Sequence, residues 1–177
     1  MQADHDVFST AGARRFFDYW HSLPKIDLVP DRKSFNPPDI ASLMPAITLL
    51  EIWSHERIDL RLIGTGVARG MGIEPTGKNY LDLIAPEARA PYLKLVDAQI
   101  NQPCGRRTIL KTRNATGLIA RTEALTLPMF HAQSGHHMIV SYFEQIDIVG
   151  YEKGPYEVLD FEKTEWLDIG AGVPGWI

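Results

Sequence analysis

Five strand-like runs, divided two and three by a helical insert, constrain the fold of this chain more tightly than any other feature. The first pair, AITLLEIW and RIDLRLIG, is separated by the polar stretch Ser54 to Arg57, which reads as a hairpin turn. Glycines at 64, 66, 70 and 72 then break strand character, and short helical pieces fit VARGM and YLDLI. A longer helix fits residues 86–101, with Tyr92, Leu95, Val96 and Ile100 on one side. Three further runs follow, RRTILKTRN, GLIARTEALTLPM and HMIVSYFEQIDIV, joined by turns at 114–117 and 133–135. Strands are therefore expected near 46–53, 57–64, 106–113, 117–129 and 136–148. Runs grouped this way give an α+β fold, a five-stranded antiparallel sheet with its helical insert between strands two and three. The alternating βα units of a doubly wound parallel sheet are absent. In the second run, alternation sets Leu60 and Leu62 on one face, with Arg61 and Ile63 on the other.

Upstream of the sheet, Ser9 and Thr10 offer an N-cap, and Phe16, Phe17, Trp20 and Leu23 then fall at helical spacing before Pro24. The segment KIDLVPDRKSFNPPD reads as an extended linker, and Asn36 to Asp39 opens a short helix, IASLM, that Pro45 closes. The chain thus divides into an N-terminal helix and linker (1–35), a central domain (36–149) and a tail (150–177) rich in Gly, Pro and acids.

Composition excludes several classes. A 45% hydrophobic and 23% charged chain of 177 residues is a globular domain and not a disordered one. A net charge of -4 gives no general reason to bind nucleic acid or anionic lipid. One cysteine rules out a disulfide framework or a CxxC zinc ribbon. No apolar run approaches the roughly 20 residues of a membrane span, and the opening residues carry no signal-peptide core, so a cytoplasmic protein is expected.

The stretches DYWHSLP (18–24), NPPDIASLMPAITLLEI (36–52) and LRLIGTGVARGMGIEPTGKNYLDL (60–83) resemble a bacterial PAS-like family. The later ALTLPMF with its following turn and strand is similar to that family's last hairpin, and the resemblance covers about residues 17–149. It implies a five-stranded antiparallel sheet cupping helices, often around a small-molecule cavity, with dimerisation through a flanking helix common. It does not imply a particular ligand, because PAS folds hold haem, flavin, carboxylic acids, metals or nothing.

Candidate chemistry is sparse. In Gly64-Thr-Gly66-Val-Ala-Arg-Gly70 the third glycine of a dinucleotide loop falls on Arg69, so tight backbone turning is the preferred reading. His131, His136 and His137 are metal-ligand types on a hairpin, but solvated turn histidines explain them as well. The insert from Thr65 to Asn101 contains no histidine, which argues against haem, and Cys104 lies outside any flavin-photosensor stretch. Arg106 and Arg107 beside Cys104 would favour a thiolate, against the reading of an ordinary turn. Asp82, Asp97, Tyr80 and Tyr92 could furnish an isomerase-like site, but no catalytic triad or nucleophile elbow is visible and no catalytic residue is assigned.

If the sheet cups the insert, Leu60, Leu62, Met71, Tyr80, Leu83, Tyr92 and Leu95 should line a cavity, with Arg121 and Tyr142 as polar anchors. The aromatic surface of Phe16, Phe17 and Trp20 demands cover, so these residues are expected at or near a homodimer interface. The tail should dock through anchors such as Phe161 and Trp166 in a groove beside the first helix, with Asp160, Glu162, Glu165 and Asp168 in water. The expected function is a non-catalytic sensory module that binds a small ligand of unknown identity and relays its state to a signalling partner. A ligand-free dimerisation adapter is the main alternative, and a small isomerase-like enzyme a distant one.

Overall fold

The computed structural model describes residues 7–74, 76–84 and 86–175. Helix α1 (Ala11–Ser22) starts where the Thr10 side chain accepts the Ala13 N–H and ends two residues before Pro24. The Lys25 ammonium closes it, donating to the Trp20, His21 and Leu23 carbonyls at 2.7, 2.9 and 2.8 Å. The expected linker is a tight two-residue ladder, β1 (Lys25–Ile26) with β2 (Val29–Pro30), and the expected short helix is two 3-10 turns, Pro37–Ile40 and Met44–Ala46. Strands β3 (Ile47–Ser54) and β4 (Arg57–Ile63) form the first hairpin. Helices α2 (Thr65–Met71) and α3 (Pro86–Asn101) follow, with a 3-10 turn at Tyr80–Leu83 between them. Strands β5 (Cys104–Arg113), β6 (Leu118–His131), β7 (His136–Tyr151) and β8 (Glu157–Asp168) complete the chain.

The main sheet has the order β4-β3-β7-β6-β5-β8, and every neighbouring pair is antiparallel. The five expected strands are present, with β4 and β5 far apart in the sheet as the α+β reading requires.

The sixth strand corrects the expectation for the tail. EVLDFEKTEWLD pairs with β5 from Cys104↔Asp168 to Arg113↔Glu157. Its Gly- and Pro-rich flanks and many charges read as loop, yet charged side chains suit a strand that closes a sheet edge. The tail therefore docks by backbone pairing, and Phe161, expected as an anchor, is 57% exposed. Leu167 and Ile169 do pack against the core that holds α1, while Glu165 and Glu162 form ion pairs with Arg107 and Arg121.

Two apolar cores lie on opposite faces of the sheet. On one face α1 sets Phe16, Phe17 and Trp20 against Ile47, Leu49, Leu125, Leu127, Met129 and Val140. Gly12 permits this approach, because a Cβ there would overlap the Tyr142 hydroxyl. The three aromatics are 0%, 8% and 1% exposed within one chain. Their surface is spent in the core, so they need no interface to cover them. On the other face Leu50, Ile58, Leu60 and Ile139 pack beneath Leu81 and Val96, with Tyr80, Tyr92, Leu93 and Ile100 around them.

A bulge at Arg61 overturns the expected alternation in β4. Leu49 pairs with Leu62 but Leu50 pairs with Leu60, so one extra residue enters β4. Leu60 stays in the α3-side core, whereas Leu62 packs with the α1-side core.

Candidate functional site

A polar row crosses the α3 face of the sheet. Register places Thr48 beside Ser141, Ser141 beside Thr126, Thr126 beside Arg106 and Arg106 beside Trp166, one residue from each of β3, β7, β6, β5 and β8. The Ser141 hydroxyl donates to Thr126 Oγ1 at 3.2 Å, and Thr48, Ser141, Thr126 and Arg106 are all buried. Gln99 on α3 is fully buried above this row, and its amide N–H groups donate to the carbonyls of Cys104 and Thr126 at 3.1 and 3.0 Å. These two bonds fix α3 to the sheet.

Among the described residues, three inaccessible polar atoms around the row have no partner: Arg106 Nε, Trp166 Nε1 and Gln99 Oε1. Buried polar groups are ordinarily hydrogen-bonded, so such a cluster marks a place where something else belongs. Burial lowers the Arg106 guanidinium pKa, opposed by nearby Tyr92, Tyr80 and Cys104. Burial raises the Tyr80, Tyr92 and Tyr156 hydroxyls, so each keeps its proton and can donate. The Tyr80 and Tyr92 rings lie 5.5 Å apart between centroids.

Arg107, the next residue, faces the α1 side and is fully paired. It donates to Glu123, to Glu165 and to the Ser9 hydroxyl, while the Ser9 N–H reaches Glu123 at 2.8 Å. Consecutive strand residues point to opposite faces, and with both faces covered each core receives one guanidinium. The Arg106-Arg107 pair inside a strand was the signal for this site in the sequence.

Of the residues expected to line a cavity, the structure gathers Leu60, Tyr80 and Tyr92 in the α3-side core. Leu83 and Leu95 are partly exposed and fall outside that cluster among the described contacts, as does Met71 on the exposed helix α2. The α3 stripe that packs runs through Tyr92, Val96 and Ile100, and Leu95 lies off it. Tyr142 belongs to the α1 face, where it stacks on Phe16 at 5.7 Å and donates to Glu144 at 2.9 Å. Arg121 is a surface residue paired with Glu162 and Asp147 at 2.6 and 3.2 Å. β6 pairs with β5 without a register shift, so regular alternation sets Arg121 on the α1 side with Glu123 and Leu125.

The PAS domain family model matches residues 8–141, most of the chain. This chain belongs to the PAS domain family. No curated protein matches it. The antiparallel sheet with helices between its first hairpin and β5 is the arrangement that family implies.

The other motifs in this PAS domain have structural accounts. Gly64 opens α2 where a Cβ would collide with the carbonyls of Met44 and Pro45, and Gly66 likewise approaches the Pro45 carbonyl, so these two glycines serve close packing. Cys104 is fully buried, and burial pushes its thiol up to about 11, against thiolate chemistry at neutral pH. His131 and His136 face each other across β6 and β7 and reach Glu51 at 3.2 and 3.1 Å, while Arg61 Nε lies 3.4 Å from the same carboxylate. Ser134 also donates to Glu51, at 3.2 Å. Burial raises the Glu51 carboxyl, but His136, His131, Ser134 and the Arg61 charge outweigh it and the net shift is downward. Among the described residues no group of three His, Cys, Asp or Glu is arranged to hold a metal ion. No helix among them is long and apolar enough to cross a membrane.

Proposed function

We propose that this PAS domain, a sensory or signalling module at the level its family defines, is a non-catalytic, cytoplasmic sensor that binds a small molecule between α3 and the sheet and relays its state through a partner. The observation that carries this reading is the group of unpartnered buried atoms, Arg106 Nε, Trp166 Nε1 and Gln99 Oε1, in one layer of the interior. A ligand there would touch α3, whose hold on the sheet depends on Gln99, and β8, the last strand of the chain. Both elements are positioned to pass a change of occupancy to the surface. Native mass spectrometry of freshly purified protein, with denaturing release of any bound molecule, tests this. A stoichiometric small molecule is expected, and one that disappears in Trp166→Phe or Arg106→Gln protein places it at the row.

A second reading, a homodimerising adapter, is favoured by Ile146, Ile148 and Tyr151, which are 41%, 59% and 69% exposed along the outer part of β7. Large apolar side chains grouped in water mark interaction surfaces. On this reading a second copy of the chain covers them, and Ile148→Glu should lower the mass found by sedimentation equilibrium without loss of folding.

A further inference from the structure

The two adjacent arginines of β5 differ in one respect that decides what the interior can hold. Arg107 is buried with two carboxylates, Glu123 and Glu165, and the Ser9 hydroxyl. Arg106 is also buried, at 8% exposed against 4% for Arg107, and makes no ion pair or hydrogen bond through its side chain among the described residues. An uncompensated buried guanidinium is strongly unfavourable, and the fold supplies a counterion to one arginine and withholds it from the other.

Most groups around Arg106 are donors of the kind an anion accepts, the exception being the unpartnered Gln99 Oε1, which accepts. Trp166 is its cross-strand neighbour and presents an unpartnered indole N–H, which can only donate. Tyr80 and Tyr92 are neutral hydroxyls held in the protonated state by burial. Beyond the Thr126, Ser141 and Thr48 hydroxyls of the row, the surroundings are apolar: Leu50, Leu60, Ile139 and Val96 form the same core as Tyr80 and Tyr92. One fixed positive charge in an apolar, aromatic setting matches one negative charge on an apolar body. A planar guanidinium also presents two parallel N–H groups, the geometry a carboxylate accepts.

We propose that the ligand of this PAS domain is a small apolar monocarboxylate, an aliphatic or aromatic acid whose carboxylate pairs with Arg106 and accepts from the Trp166 indole. This rests on the ligand-binding reading above and adds the ligand's chemical class. The acid's hydrocarbon part lies against the Tyr80 and Tyr92 rings. Di- and tricarboxylates are disfavoured, since their second charge would be buried without a partner.

Thermal shift and calorimetric titration with acetate, isovalerate, phenylacetate and benzoate, each beside its neutral amide and beside inorganic phosphate and succinate, test the proposal. At least one monocarboxylate should raise the melting temperature and bind with one-to-one stoichiometry, while its amide binds at least tenfold more weakly. Arg106→Gln should weaken that acid by about tenfold to a hundredfold, the range of a charge-assisted hydrogen bond. Trp166→Phe keeps an aromatic ring while removing the indole N–H with its five-membered ring, so it tests the site if Arg106→Gln fails to fold, and it should weaken binding severalfold. Equal binding of acid and amide, binding unaffected by both variants, saturation by phosphate or succinate instead, or no response to any acid overturns the carboxylate assignment. The underlying reading fails separately. A neutral or cationic molecule released in native mass spectrometry removes the carboxylate and keeps the ligand site, whereas clean apo protein with no response to any probe removes both.

Discussion

The indole N–H of Trp20 on α1 donates to the carbonyl oxygen of Pro128 on β6 at 3.0 Å, across 108 positions of sequence. Trp20 is 1% exposed, and its ring also carries the Lys25 ammonium at 4.5 Å. One side chain thus anchors the first helix to the middle of the sheet and seats the cation that caps that helix. Trp20→Phe leaves the Pro128 carbonyl unpaired and a gap beside Phe17, and should cost about 2–4 kcal/mol. Urea denaturation checks this, and a change below about 1 kcal/mol would mean that α1 is held by other contacts.

Arg107 and Glu123 form a buried pair that also takes in Glu165 and Ser9. Removing one partner strands the other, so Arg107→Met should destabilise by about 3–5 kcal/mol. The double variant Arg107→Met, Glu123→Leu should recover most of that loss, because the stranded charge is gone. A double-mutant cycle in urea measures the coupling, and purely additive losses would exclude a coupled pair.

Acid should weaken the fold partly through Glu51. Its folded-state pKa lies below the unfolded value, through His136, His131, Ser134 and Arg61 acting against burial. The stability it contributes is present above the unfolded carboxylate pKa, about 4.3, and is lost as pH falls through the lower folded value. Unfolding free energies at pH 7, 5 and 3 should therefore fall more steeply in the wild type than in Glu51→Gln. Parallel curves would assign the acid sensitivity elsewhere.

Cys104 should be inert in the native state. It is fully buried, and burial holds its thiol up to about 11. Ellman's reagent at pH 7.5 should titrate no thiol until denaturant is added, then one. Rapid reaction in native protein would require that β5 and β8 separate readily at this end.

The pairing of β8 with β5 predicts a graded response to trypsin. Lys153 lies in the connection between β7 and β8, whereas Lys163 is paired with Ile109 inside the ladder. Cleavage after Lys153 should come first and leave the fragment associated, with Lys163 resistant. Equal rates at both would mean that the last strand detaches.

Helical spacing of Phe16 and Trp20, turns at 54–57, 114–117 and 133–135, and the grouping of strands around the insert all depend on neighbours in sequence, so the α+β arrangement and its antiparallel sheet were legible from the chain alone. The resemblance to PAS domains added the family, which the match over residues 8–141 establishes. The side-chain facing was not legible. Alternation predicts faces only while register is regular, and one inserted residue at Arg61 moves Leu62 to the opposite core. The sixth strand escaped because its acids and flanking glycines describe a loop until β5 offers an edge to pair with. Local composition cannot know whether a partner strand exists. The same holds for the two arginines of β5: the sequence sets them side by side, and only the tertiary structure gives carboxylates to Arg107 and leaves Arg106 without one, because those acids come from β6 and β8 and all face α1.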